Sequence, residues 1–158
     1  MDEVVVRSLA RWPKVPSVYG WLSLDRRGNW LIKGEKIGNG TLRDFIARNY
    51  QPDEAGRWFF QNGPQRVYVR LAYAPLVVRY EGSGQALLDH CGRPFACAEA
   101  YLDNEGSVLM QGGGTIALLD DRDLLRFADL AGSLQRLESS DVAARFGFVA
   151  DPSPQAGA

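Results

Sequence analysis

The chain has 158 residues, of which 46% are hydrophobic and 11% aromatic, and its formal net charge is −1. This length suits a single domain that buries about 70% of its unfolded surface, and no apolar run approaches the roughly 18 residues that a membrane span needs. The N-terminus lacks a signal-peptide pattern, and there are two cysteines. We therefore expect a cytoplasmic protein with free thiols that does not cross a membrane.

Charge is unevenly distributed along the chain. Residues 1–80 carry 13 Lys and Arg against 7 Asp and Glu, a balance of +6. Residues 81–158 carry 5 against 12, a balance of −7. Either the two halves pack with complementary surfaces, which is the interpretation we favour, or a basic face meets an acidic partner.

A β-hairpin is the first element that the sequence predicts. Residues 18–25 alternate in polarity, Gly28 supplies the positive φ of a tight turn, and residues 30–33 form the returning strand. Thr41 can cap a following helix, with Asp44 as its capping-box partner, and Pro52 ends it. Later strands are predicted at 57–61, 65–71 and 76–80, the first two joined by a turn at 62–63.

The second half repeats the pattern of the first at an offset of 78 residues, or 79 after one insertion. Pro16, Leu24, Asp25, Gly28 and Leu31 recur as Pro94, Leu102, Asp103, Gly106 and Leu109; Arg43-Asp44-Phe45-Ile46 recurs as Arg122-Asp123-Leu124-Leu125, and Arg66 as Arg145. We interpret this as an internal duplication of a β-hairpin–helix unit, with repeats at about 16–80 and 94–150. The alternative is that such units share turn and capping residues through local chemistry alone.

The predicted fold class is α+β: antiparallel β-hairpins with two amphipathic helices in one compact domain, residues 1–150. Residues 151–158 contain almost nothing to bury, so we expect a disordered tail.

Several polar clusters contain the residue types of catalytic or metal sites. His90, Cys91 and Cys97 could form a nucleophile or redox pair, but strand neighbours point to opposite faces, and zinc normally needs four ligands. Core or loop positions are the favoured interpretation. The run Gly112-Gly113-Gly114 lacks a following helix and a Gly-Lys-Ser/Thr element, which favours a bend between strands over a phosphate loop.

Acidic residues are interpreted in the same way. Asp120, Asp121 and Asp123 could bind a hard cation, but they also suit the start of a helix, where the dipole favours carboxylates. The segment 103–106 is too short for a calcium loop and is expected to be a turn. The sequence thus predicts no catalytic residue, no metal and no cofactor.

Aromatic and arginine side chains suggest a binding face. If the aliphatic residues of two strands point inward, then Tyr19 and Trp21 on one strand, and Arg66, Tyr68 and Arg70 on the other, point to the opposite face. These residue types dominate protein interfaces and can also stack on nucleic-acid bases. The alternative is that a helix or the other half of the chain buries this face.

Three stretches of the chain resemble a family of small, uncharacterised proteobacterial proteins that carries only a domain-of-unknown-function label. They are Tyr19-Gly20-Trp21-Leu22, the turn Leu24-Asp25-x-x-Gly28-x-Trp30, and Trp58-Phe59-Phe60-Gln61-Asn62-Gly63-Pro64-Gln65-Arg66-Val67-Tyr68-Val69. The resemblance covers about residues 15–130. It implies a bacterial cytosolic origin, and no activity or site residue comes with it.

Three functions remain open at this point. The first is a non-catalytic interaction or regulatory module whose partner is another protein or a second copy of the chain. The second is a small-ligand binder or enzyme with a site between the two halves. The third is a single-stranded nucleic-acid binder, which the pI near 5.8 disfavours.

Overall fold

The computed structural model describes residues 1–130, 132 and 134–154. The chain divides into two compact units. The first comprises residues 1–25, 29–72 and the described residues from 148 onward, and the second comprises the described residues of 26–28 and 73–147. Four α-helices and two mixed, mostly antiparallel sheets occur in the described residues, so the predicted α+β class is confirmed.

The first unit is built on a six-stranded sheet with the order β3-β2-β1-β6-β5-β4. Its strands are β1 (Val18–Leu24), β2 (Trp30–Ile32), β3 (Glu35–Lys36), β4 (Tyr50–Pro52), β5 (Trp58–Asn62) and β6 (Gln65–Leu71). All neighbouring strands are antiparallel except β1 and β6, which are parallel. The core consists of large apolar side chains, among them Leu24, Tyr50, Phe59 and Val69.

Two helices, α1 (Glu3–Arg11) and α2 (Gly40–Arg48), belong to this unit. The cap of α2 is Asn39 and not Thr41, because the Asn39 side chain accepts a hydrogen bond from the N–H of Leu42 at 3.0 Å. Asn39 directly precedes the helix and accepts from an N–H group of its first turn, so the helix begins two residues earlier than a cap at Thr41 would place it. The sequence analysis did not predict α1, in which Val5 is buried.

The second unit contains a seven-stranded sheet with the order β13-β10-β11-β12-β7-β8-β9. Its strands are β7 (Leu76–Tyr80), β8 (Leu87–Asp89), β9 (Pro94–Phe95), β10 (Glu99–Asp103), β11 (Val108–Gly112), β12 (Thr115–Leu119) and β13 (Gln135–Leu137). Two short helices accompany them, α3 (Leu124–Leu130) and α4 (Val142–Phe146). The Gly113 and Gly114 pair forms the two-residue turn between β11 and β12, both with positive φ, as a bend between strands requires.

One turn chemistry recurs at four hairpins of the described chain. In each, an Asp carboxylate accepts a hydrogen bond from the backbone N–H of the residue four positions on, while a Gly three positions on takes a φ of +79° to +84°. The four turns are Asp25–Gly28, Asp53–Gly56, Asp89–Gly92 and Asp103–Gly106. Because two of them lie outside the repeat register, the Asp and Gly matches at 25–28 and 103–106 are explained by turn chemistry.

Strand order supports the duplication more directly. In the first unit, β1, β2 and β3 form an antiparallel meander, and β6 pairs in parallel with β1. In the second unit, β10, β11 and β12 form the same meander, and β13 pairs in parallel with β10. A helix follows the third strand of each meander, α2 in one unit and α3 in the other. The internal duplication stays a prediction that this shared order supports.

The predicted tail lies partly outside the described residues. Of residues 151–158, the first four are described: Pro152 is buried and the carbonyl of Ser153 accepts a hydrogen bond from Arg57 at 3.1 Å. The prediction of disorder for 155–158 falls on residues that the structure does not describe. None of the helices in the described ranges is long and apolar enough to cross a membrane.

Candidate functional site

An irregularity in β1 divides the five predicted binding residues between the two faces of the sheet. Val18 pairs with Val67 and Leu22 with Val69, so residues 19–21 lie opposite Tyr68 alone. Gly20, with a φ of +79°, forms the centre of this bulge. Strict alternation of side chains fails there, and Tyr19 and Trp21 no longer share a face.

Tyr68 is buried, with 3% of its surface exposed, and so does not belong to an open face. Its ring stacks on that of Tyr19 at a centroid distance of 4.8 Å and an interplanar angle of 4°. The guanidinium carbon of Arg57 lies 4.6 Å from the Tyr68 ring centroid. Tyr68 therefore lies on the predicted face, but the alternative of a covered face applies to it, because Tyr19 and Arg57 lie over its ring.

Arg57 connects the turn before β5 to three other parts of the first unit. Its Nε donates to Asp53 Oδ2 at 2.8 Å, its Nη2 to the Tyr68 hydroxyl at 3.2 Å, and its Nη1 to the Tyr19 hydroxyl at 3.3 Å and the Ser153 carbonyl at 3.1 Å. Its side chain is 14% exposed and that of Asp53 is 7% exposed. Arg57 thus uses its donors within the protein and acts as a structural clamp.

The carboxylate of Asp53 is fully hydrogen-bonded in this cluster. Oδ1 accepts from the N–H groups of Ala55 and Arg57, each at 2.9 Å, and Oδ2 accepts from the Tyr68 hydroxyl at 2.8 Å as well as from Arg57. Burial opposes ionisation, but these hydrogen bonds prevail and hold the pKa of the Asp53 carboxyl below its usual value. Burial, together with the bond to Asp53, raises the pKa of the Tyr68 phenol.

Arg66 and Arg70 are the members of the predicted set that stay exposed on this face. The Arg66 guanidinium carbon lies 4.3 Å from the centroid of Phe59, and the Arg70 Nε lies 4.0 Å from Asp151. A salt bridge this exposed adds little to stability. Both arginine side chains are accessible. Of the aromatic side chains predicted on the same face, Tyr68 is covered and Trp21 lies on the opposite face.

Trp21 lies on the opposite face, at an apolar groove of about 410 Å³ between α2 and the sheet. The groove is lined by Val18, Trp21, Leu22, Ile32, Leu42, Ile46, Phe60, Asn62, Gln65 and Val67. Trp21 is 50% exposed, Ile32 40% and Leu42 38%. Three large apolar side chains thus remain in water because α2 covers only part of the sheet. We call this surface the Trp21 groove.

The surroundings of Cys91 and Cys97 oppose reactivity of their thiols. Burial, followed by the charge of Asp89, raises the pKa of the Cys91 thiol to about 12. Burial and then Glu99 raise the pKa of the Cys97 thiol. The Nδ1 of His90 accepts a hydrogen bond from the N–H of Val77 at 3.1 Å. Raised thiol pKa values oppose nucleophilic chemistry, which needs the thiolate.

We therefore expect both thiols to react slowly at pH 7. In a Cys97→Ser variant, Cys91 should react with a chromogenic disulfide reagent about tenfold or more slowly than free cysteine, because the thiolate fraction falls tenfold per unit of pKa. The Cys91→Ser variant reports Cys97 in the same assay. A thiol that reacts faster than free cysteine would contradict this expectation and point to chemistry.

The acidic residues near α3 form ion pairs within the second unit. Asp120, whose side chain is buried, accepts from Arg122 Nε at 2.9 Å and Nη2 at 2.6 Å and caps the short 3-10 helix that precedes α3. Asp123 accepts from Arg79 and from the N–H of Tyr80. These contacts agree with a role at the start of a helix. In the described ranges, no group of three or more His, Cys, Asp or Glu could hold a metal ion.

The sequence analysis missed the roles of Arg57 and of the Trp21 groove. Gly20 was the available signal for the groove, since a glycine inside a strand pattern often marks a bulge. The Asp53-x-x-Gly56 spacing could have located the turn that presents Arg57. No local pattern links Arg57 to Tyr19 or Ser153, which lie 38 and 96 positions away.

Solved structures with the same fold come from another family of unknown function. A DUF1285 family protein from Silicibacter pomeroyi DSS-3 is 18% identical, with a TM-score of 0.57 over 84% of this chain and 86% of that one. A DUF1285 family protein from Shewanella baltica OS155 is 15% identical, with a TM-score of 0.52 over 70% and 92%. At these identities the similarity concerns the fold alone. A comparison with curated proteins found no match.

Almost the whole chain matches the model of one family. The model of the DUF2944 family, described as "Protein of unknown function (DUF2946)", matches residues 1–153. The resemblance to a domain-of-unknown-function family is thereby confirmed, and this chain belongs to that family of proteins of unknown function.

Proposed function

We propose that this protein is a non-catalytic interaction module that binds a protein partner through the Trp21 groove. The observation that carries the proposal is the half-exposed Trp21 beside Ile32 and Leu42 at the mouth of an apolar cavity. Contiguous exposed apolar surface commonly marks an interaction site, and tryptophan is enriched among the residues that contribute most to binding. The bacterial cytoplasm expected from the sequence is part of the same proposal.

The Trp21 groove contains one of the five binding residues predicted from the sequence. Trp21 becomes the anchor, whereas Tyr19 and Tyr68 contribute to the Arg57 cluster, and Arg66 and Arg70 stay exposed on the other face. A small apolar ligand is the second candidate, because the groove volume lies within the range of about 300–1,000 Å³ that is typical of small-molecule sites.

Affinity capture from the cells that express the protein tests the proposal. The intact protein should retain a specific protein partner that the Trp21→Ala variant loses, as identified by mass spectrometry. Trp12→Ala is a matched control, because Trp12 is 56% exposed but does not line the groove. We expect this control to retain the partner.

Two results would count against the proposal. Equal loss of the partner with Trp12→Ala would show that the effect is not specific to the groove. Capture of an apolar small molecule instead of a protein, detected by mass spectrometry of the denatured complex and lost with Trp21→Ala, would favour the ligand-binding candidate.

A further inference from the structure

Lys33 is held against Trp21 in a backbone conformation that lysine rarely adopts. It is the one non-glycine residue of the described chain with a positive φ, at +49°, and it forms the β2–β3 turn with Gly34. Asn, Asp and Gly are the usual residues at such positions. Its N–H donates to the Trp21 carbonyl at 2.9 Å, and its ammonium lies 4.0 Å from the centroid of the Trp21 ring. Unfavourable backbone conformations concentrate at functional sites.

Arg43 places a second cation beside the same groove. It follows Leu42 on α2 and lies three positions before Ile46, and residues at this spacing are neighbours on a helix surface. Both Lys33 and Arg43 are exposed. No carboxylate oxygen of the described residues lies within 4.0 Å of either charged group. The apolar groove is therefore flanked by two positive charges that form no ion pair with a described residue.

From this charge pattern we infer that the Trp21 groove binds a segment of a partner protein whose apolar side chains are flanked by Asp or Glu. The inference rests on the proposed function and specifies the chemistry of the partner. The apolar side chains of the segment fill the groove, and its carboxylates pair with Lys33 and Arg43. Complementary charge at the rim of an interface selects the partner and raises the association rate.

Other occupants fit this charge pattern less well. A basic segment would bring like charges to Lys33 and Arg43, which costs binding energy. A second copy docked groove to groove by two-fold symmetry would bring its own Lys33 and Arg43 to the same interface. A neutral apolar molecule would leave both cations without a carboxylate partner.

Selection from a phage-displayed library of random 16-residue peptides tests the inference. Peptides that bind the intact protein should combine apolar anchors with a net negative charge, and their binding should be lost with Trp21→Ala. A selected peptide, labelled for fluorescence anisotropy, should bind the Lys33→Glu/Arg43→Glu variant about three- to thirtyfold more weakly. A control with the same change in charge is Arg7→Glu/Lys14→Glu, at exposed positions that do not line the groove, and it should bind as the intact protein does.

The outcomes separate this inference from the proposed function. Peptides that depend on Trp21 but are neutral or basic, or that bind the Lys33→Glu/Arg43→Glu variant equally well, overturn the acidic partner and leave the interaction module standing. A dimer seen by sedimentation velocity and abolished by Trp21→Ala assigns the groove to a second copy and overturns the inference. A selection without any Trp21-dependent peptide also overturns it, whereas the proposed function is judged by the capture experiment.

Discussion

Replacing Arg57 by alanine is expected to lower the free energy of unfolding of the first unit by about 3–5 kcal/mol. The substitution removes four donors at once and leaves the carboxylate of Asp53, which is 7% exposed, buried without its cation. Loss of one partner of a buried ion pair costs more than the pair itself contributes, because the remaining charge stays desolvated. Tyr19 and Tyr68 would also lose their bridging donor.

Urea unfolding followed by tryptophan fluorescence measures this effect selectively, because all four tryptophans of the chain lie in the first unit. The matched control is Arg70→Ala, which removes an exposed arginine 4.0 Å from Asp151 and should change the free energy by at most about 0.5 kcal/mol. If both variants had equal, small effects, Arg57 would not be a structural clamp.

Replacing Gly112 by alanine is expected to destabilise the second unit by about 3 kcal/mol. Gly112 is buried at the end of β11, and a Cβ at this position would overlap the backbone carbonyl of Ala96. It would also come within 3.3 Å of the Phe95 ring. Backbone cannot move aside as a flexible side chain can, so β11 or the segment around Ala96 must shift.

Thermal unfolding monitored by circular dichroism measures the loss, and amide hydrogen exchange of β11 and β12 locates it. Gly84→Ala is the control, since its added methyl group would meet only the N–H of Ala86 at 4.0 Å. That variant should lie within about 0.5 kcal/mol of the parent protein. Equal stability of the two variants would mean that the strand end accommodates the methyl group.

Side-chain alternation predicted which face β6 presents but not whether that face is open. Val67 and Val69 point one way and Arg66, Tyr68 and Arg70 the other, as the two-residue period of a strand requires. Exposure depends on what lies above the strand. Tyr68 is covered by Tyr19 and Arg57, which come from other segments of the chain, and no pattern within β6 reports them.

The face of Trp21 was assigned incorrectly because the alternation was assumed to continue through Gly20. Residues 19–21 lie opposite one residue of β6, so the bulge inserts two residues and turns Trp21 toward the groove, while Leu22 and Leu24 keep the face that alternation predicts. A glycine inside a strand often indicates a bulge, but the number of residues in the bulge depends on how β1 pairs with β6. That register is a property of strands about 50 residues apart in the chain.

Local structure is the part of this protein that follows from its amino-acid sequence. The hairpins, the turn at residues 113–114 and the α+β class could be predicted because alternation, glycine conformation and Asp-x-x-Gly hydrogen bonds act within a few residues. Tertiary structure alone decided that Tyr68 is buried, that Trp21 stands beside a groove, and that Arg57 joins Tyr19 to Ser153. These outcomes depend on contacts between segments far apart in the chain, and on how much of the sheet a nine-residue helix can cover.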